Sequence, residues 1–246
     1  MTYCVGILCD DGFVCAADSR TNAGVDHIST YRKLFVFSNP GERVMVLMTA
    51  GNLATSQSVI SMVSERLEEG TEETSLLKAS SMFGAARIVG EALRETLEHD
   101  GDHVRAEKAD PTASFILCGQ IKDRPVRMFQ IYSAGNFVEA SSDSPFFQIG
   151  ETKYGKPILD RIVDHRMPLD RAAKAALVSF DSTMRSNVSV GPPIDVIAYH
   201  RDRLTISDKT SLDESNAYFS YIRKQYGEGL LAVFDGLPEP DFDGLV

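Results

Sequence analysis

Met1-Thr2-Tyr3-Cys4-Val5-Gly6-Ile7 opens the chain, and the rest of the sequence is read outward from it. Thr2 stands directly behind the initiator Met, and a strand-like apolar run follows at once. A second run, Phe13-Val14-Cys15-Ala16-Ala17, comes after Asp10-Asp11-Gly12. Asp-Gly between two such runs signals a β-hairpin. The second run is apolar on both faces, which fits a covered central strand rather than an edge. It ends in Asp18-Ser19-Arg20, and charges placed directly after a buried strand must be paired to offset their desolvation. If Met1 is removed, Thr2 carries a hydroxyl and a free amine on one residue, a nucleophile and a base together. On these residues alone, an N-terminal edge strand is the simpler reading.

Further along, residues 20–31 lack periodicity and read as a loop. Lys33-Leu34-Phe35-Val36-Phe37 and Val44-Met45-Val46-Leu47-Met48 read as strands around an Asn39-Pro40-Gly41-Glu42 turn. The second ends in Thr49-Ala50-Gly51-Asn52, and a helix follows with Leu53, Val59 or Ile60, Val63 and Leu67 at helical spacing. Another helix is expected from about residue 80, with Met82, Ala86, Val89, Leu93 and Leu97 on one face, then a loop over 99–109. Strands are predicted near 113–119, 125–132 and 136–139, and a short helix over about 153–164. A longer helix begins at Pro168, where the missing N–H costs nothing. The strand 194–199 is followed by Leu204-Thr205-Ile206, a helix over about 213–232 and an acidic, Pro-containing tail. Strands clustered before helix pairs predict an α+β fold, a four-layer αββα sandwich of two antiparallel sheets flanked by helix pairs. No linker composition divides the 246 residues, so one domain is expected over 1–246, with a C-terminal helical extension and acidic tail from about 212.

A formal net charge of −10 and the absence of a Lys/Arg cluster argue against nucleic acid as a partner. No apolar run approaches the ~20 residues that span a bilayer, and the N-terminus lacks the pattern of a secretory signal. No membrane association and a cytoplasmic location are therefore expected. Cys4, Cys9, Cys15 and Cys118 show neither C-x-x-C spacing nor a nearby His at ligand spacing, and read as buried small hydrophobes. His99-Asp100-Gly101-Asp102-His103 has a metal-like composition but reads as a solvated loop. Neither a metal nor a cofactor is expected.

Thr2, Asp18, Lys33 and Gly51 together suggest a chemistry. A threonine hydroxyl needs a base, and an α-amine, with an unperturbed pKa of roughly 7.7–8.0, serves near neutrality. A lysine ammonium nearby favours the neutral amine and helps stabilise negative charge developing on Oγ. Asp18 suits the carboxylate that holds this lysine charged. Gly51, at a strand-to-helix turn, can offer its N–H to an oxyanion, with a helix dipole behind it. Taken singly, each has a plainer reading: a strand residue, a structural salt bridge, a turn.

The blocks Thr2-Tyr3-Cys4-Val5-Gly6-Ile7, Ala17-Asp18-Ser19-Arg20, Arg32-Lys33-Leu34-Phe35 and Thr49-Ala50-Gly51 resemble a proteasome-type β-subunit, an N-terminal-nucleophile threonine hydrolase. The segments 18–26 and Val190-Gly191-Pro192-Pro193-Ile194-Asp195 resemble its bacterial Anbu subgroup. The resemblance covers essentially the whole chain. It implies Thr2 as nucleophile with its freed amine as base, Lys33 as the cation that lowers the nucleophile's pKa, Asp18 as its orienter, the Gly51 N–H for the oxyanion, and Ser189 near the amine. It also implies a peptide bound as an extra strand beside Asn22 and Gly51, with Thr21, Tyr31, Thr49 and Leu53 as pocket walls. Two positions depart from the family pattern. Gly150-Glu151-Thr152 replaces a Gly-Ser-Gly turn, and Ser186 stands where an Asp is expected. Glu151 offers a substitute carboxylate, although an exposed Glu at a helix start is the simpler reading.

The resulting expectation is a threonine-type peptidase or amidase acting through an acyl-enzyme ester, on a peptide or protein substrate, in a homo-oligomer such as a ring. An unfoldase or activator partner is not specified by any motif. Two alternatives stand beside it: an amidase restricted to small peptide or isopeptide substrates, and a non-catalytic ring-forming scaffold of the same fold.

Overall fold

The first strand, β1 (Tyr3–Cys9), is buried along its whole length, and its alternation assigns each side chain to one of two cores. Tyr3, Val5 and Ile7 point toward helices and join Val14, Ala16, Ala172, Ala176 and Phe180. Cys4 and Leu8 point the other way, into a layer with Val46, Met48, Ile116 and Met128 of the opposite sheet. A strand with apolar residues on both faces can only sit inside a multilayer fold.

The computed structural model describes residues 2–22, 28–206 and 209–241, with the backbone alone at 21, 22 and 28. β1 is flanked by β2 (Gly12–Asp18) and by β10 (Phe146–Gly150); β11 (Ile194–His200) and β12 (Thr210–Leu212) complete a five-stranded sheet in the order β10-β1-β2-β11-β12. The second sheet runs β5 (Leu34–Asn39), β6 (Arg43–Gly51), β7 (Ala113–Ile121), β8 (Arg127–Ile131) and β9 (Phe137–Glu139). Every pairing in both sheets is antiparallel. Helices α1 (Leu53–Glu69) and α2 (Met82–Ala106) cover the second sheet through Met45, Leu47, Phe115 and Leu117. Helices α3 (Lys156–Ile162) and α4 (Leu169–Ser186) cover the first, and α5 (Ala217–Asp235) joins that core through Phe219 and Ile222. The predicted αββα sandwich is the observed architecture. No helix among the described residues is long and apolar enough to cross a membrane.

Several local expectations are corrected. Residues 20–31 contain a small hairpin, β3 (Arg20–Asn22) with β4 (Ile28–Thr30). The predicted loop over 99–109 is mostly helix. α2 continues through Gly101 to Ala106, with His103 and Arg105 in its last turn, where cations suit the helix dipole. Leu204-Thr205-Ile206 is not a strand; β11 pairs with 210–212 instead. β10 was not expected at all, yet it is the strand that lies beside the N-terminus.

Three elements are tied together under β1 by one buried phenol. The Tyr3 hydroxyl donates to Ser179 Oγ of α4 at 3.0 Å and accepts from Gln148 Nε2 of β10 at 2.6 Å. Its ring packs on Phe180 at 4.6 Å between centroids. Burial pushes the phenol's pKa up to about 12. Tyr3→Phe keeps the ring but strands the Gln148 amide donor, so a loss of about 1–2 kcal/mol in unfolding free energy by urea titration is expected. Tyr3→Ala, which also removes the ring, should cost about 3–5 kcal/mol.

Candidate active site

Thr2 precedes β1 at the point where both sheets end, and it is 9% exposed. Two backbone bonds fix it from either side. Its carbonyl accepts the Glu151 N–H at 2.7 Å, and the next amide, Tyr3 N–H, donates to Asp18 Oδ1 at 3.0 Å. The first bond requires glycine at position 150. Gly150 has φ +83°, and a Cβ there would lie 2.0 Å from the Thr2 carbonyl oxygen.

Asp18 is the last residue of β2 and has no exposed surface. Lys33, immediately before β5 and 4% exposed, donates from Nζ to Asp18 Oδ1 at 3.0 Å and to the Arg20 carbonyl at 2.6 Å. A charge pair this deep is worth keeping only when its remaining valences are met. Here the pair is deliberately asymmetric. Oδ1 takes two donors, whereas Oδ2 has no hydrogen-bond partner among the described residues. Burial pushes the Asp18 carboxyl above the usual carboxylate range, against the pull of Lys33 and of the Tyr3 amide. The Gly191 amide adds a weaker pull without reaching hydrogen-bond geometry with Oδ2.

Gly51 closes β6 and is followed by the α1 cap, in which the Asn52 side chain accepts the Thr55 N–H at 3.2 Å. Its φ of +115° and the 2.4 Å that would separate a Cβ from the Thr112 carbonyl exclude a larger residue. The Lys33 carbonyl accepts the Thr49 N–H at 3.0 Å, and Thr49 Oγ1 donates to Ser56 Oγ at 2.8 Å, so this strand end, Lys33 and α1 form one rigid wall. A small recess of about 40 Å³ opens there, lined by Thr2, Lys33, Thr49, Gly51, Leu53 and their neighbours.

Thr2, Asp18, Lys33 and Gly51 are thus brought to one place. Thr49 and Leu53 line the recess, as do Arg32, Phe35, Ser56, Gln57 and Ile60, which the sequence did not single out; Tyr31 is not part of its lining. The side chains of Thr21 and Asn22, and Met1 whole, lie outside the described residues. Helical spacing from Leu53 would have pointed to Ser56, Gln57 and Ile60, because one face of the first turns of α1 forms the wall.

Glu151 departs from the simpler expectation. It is not an exposed helix-start residue: α3 begins five residues later, and Glu151 is 6% exposed. The β1–β10 register ends at Tyr3 opposite Gly150, and the Glu151 N–H bond to the Thr2 carbonyl sets these two residues side by side just beyond it. Its Oε2 accepts the Asn187 side-chain N–H at 2.9 Å, and the mostly exposed Lys153 ammonium lies 3.5 Å from Oε1. The Asn187 side chain in turn accepts the Ser189 N–H at 2.9 Å. Ser186, the last residue of α4, is exposed, so the buried polar group at that turn is Asn187.

With this geometry in view, the comparisons with known proteins are consistent. Residues 2–198 match the proteasome subunit family. The structure resembles Anbu (ancestral β-subunit) from Yersinia bercovieri at 47% identity, covering 98% of this chain and 99% of that one, with a TM-score of 0.91. The helical assembly of the Anbu complex from Pseudomonas aeruginosa gives 48% identity, 98% and 99% coverage and a TM-score of 0.92. A more distant sequence relative is the proteasome subunit alpha of Methanococcus maripaludis, 24% identical over 87% of this chain and 75% of that protein. The chain belongs to the proteasome subunit family, and within it to the Anbu branch.

Proposed function

We propose that the protein is an N-terminal threonine hydrolase that cleaves amide bonds once Met1 is gone. The observation that carries this reading is the single carboxylate oxygen of Asp18 that holds both the Tyr3 amide, next to Thr2, and the Lys33 ammonium. In the proposed reaction Thr2 Oγ attacks the carbonyl carbon while the α-amine takes the hydroxyl proton. The Gly51 N–H and the end of α1 stabilise the oxyanion. The amine returns the proton to the leaving nitrogen as the C–N bond breaks, and water then hydrolyses the ester with the same amine as base. Ser189 belongs to the polar turn that steadies this group through Asn187 and Glu151.

Glu151 is assigned the carboxylate that orients the amine, the part that Ser186 cannot play. Assembly into a homo-oligomer fits the exposed apolar end of α5, with Leu230, Leu231, Val233 and Phe234 all more than half exposed. It also fits the helical assembly named for the Pseudomonas aeruginosa relative. The substrate class in this proposal is a peptide or a small isopeptide, and a cytoplasmic location remains part of it.

Three measurements test the reading. Incubation with a hydroxyl-reactive peptidyl vinyl sulfone should add one probe mass to the mature chain at Thr2, and Thr2→Ala should abolish the adduct; mature protein that no such probe modifies contradicts the assignment. Lys33→Met leaves Asp18 buried without its counter-charge, so a loss of about 3–5 kcal/mol in stability is expected, largely recovered in the double variant with Asp18→Asn. Labelling should be undetectable in both. Glu151→Gln removes a negative charge beside the amine and so favours its neutral form. Its labelling rate should fall at the optimum while the acid limb of the pH profile moves to lower pH; an unmoved limb shows that Glu151 does not act on the amine.

A further inference from the structure

The recess beside Thr2 has an unbalanced charge. Its ionisable lining side chains are Arg32 and Lys33, and no carboxylate is among the described residues that line it. The Lys33 charge is committed to Asp18 at 3.0 Å. Arg32 is different: it is exposed and makes no ion pair or side-chain hydrogen bond among the described residues. Beside it, Gln57 on the first turns of α1 is also exposed and without a described partner. Thr49 Oγ1 donates to Ser56 Oγ, and Phe35 and Ile60 contribute apolar wall. The unspent charged capacity of the pocket is therefore a forked guanidinium, with the Gln57 amide beside it as donor and acceptor, and no carboxylate among the described lining residues.

The other side of Gly51 provides a control within the same molecule. A second recess of about 350 Å³, lined by residues such as Thr112, Ser114, Gln130, Tyr132 and Gln148, has neither a carboxylate nor a cation among its described lining residues. Among the described lining residues, the positive charge lies on one side of the proposed nucleophile.

From this, we infer that the pocket selects substrates with a carboxylate side chain, glutamyl or aspartyl, on the residue whose carbonyl is attacked, and that Arg32 is the specificity-determining residue. This rests on Thr2 being the nucleophile. A guanidinium takes a carboxylate through two parallel hydrogen bonds, which favours it over an isosteric amide and disfavours an ammonium by like-charge repulsion.

The test uses the full-length, Met1-processed protein and four peptidyl vinyl sulfones that differ only in the residue next to the electrophile: Glu, Gln, Leu or Lys. Second-order labelling rates at Thr2 are read by mass spectrometry. The Glu probe should react about tenfold faster than the Gln probe and faster again than the Lys probe, with the Glu-to-Gln ratio falling as salt is added. Arg32→Gln should bring that ratio near one, and Arg32→Glu should invert the order of the Glu and Lys probes. Labelling of Thr2 without a preference for Glu overturns the inference and leaves the threonine mechanism standing. A Glu preference that survives in Arg32→Glu overturns the assignment to Arg32. Labelling by none of the four overturns the inference together with the mechanism beneath it.

Discussion

Asp18 Oδ1 accepts two hydrogen bonds, from the Tyr3 amide and from Lys33 Nζ, and the arrangement of this end of the molecule depends on that shared atom. The Tyr3 bond registers the start of β1 against the end of β2. The Lys33 bond reaches across to the other sheet, because Lys33 leads into β5. One buried oxygen therefore locks the two sheets at the edge where their interior opens. A charge in such a place costs several kcal/mol to desolvate unless it is met by a counter-charge and by backbone donors. Both are supplied here, by residues near in space and 15 positions away in sequence on either side.

The same edge explains why two glycines flank Thr2. At Gly150 the backbone of β10 comes so close to the Thr2 carbonyl that no side chain fits, and at Gly51 the backbone turns from β6 toward α1 against the Thr112 carbonyl. Between them, Thr2 is held by backbone contacts, which leaves its hydroxyl free of structural duty. The apolar layers on either side of β1 act as the rigid support. Tyr3 anchors toward α4, and Cys4 toward Thr49, whose carbonyl its thiol meets at 3.5 Å.

Much of this was legible in the sequence because it is local. The doubly apolar run 13–17 ending in Asp18 announced a buried strand with a charge at its tip. Lys33 and Gly51 likewise sat at the ends of strands with a clear pattern, and the sandwich followed from the order of elements. What was not legible depends on distant pairing. Phe146–Gly150 is five residues long and carries no turn-flanked alternation strong enough to stand out, so β10 was invisible until it paired with β1. Glu151 looked like a solvent-facing residue for the same reason. Its burial comes from the start of the chain, 149 positions away at Thr2, and from Asn187 just after α4. Arg32 passed as an ordinary charge next to Lys33. Only the three-dimensional lining separates the cation that is paired from the one that is not.

All of the proposed chemistry turns on Thr2 having a free amine. Intact-mass analysis of the assembled protein purified from cells, with peptide sequencing of its first residues, measures this directly. A chain lighter by one methionine residue and beginning at Thr2 is expected. Assembled protein that retains Met1 on every chain would contradict it, because the base would then be an amide nitrogen with no proton affinity to lend.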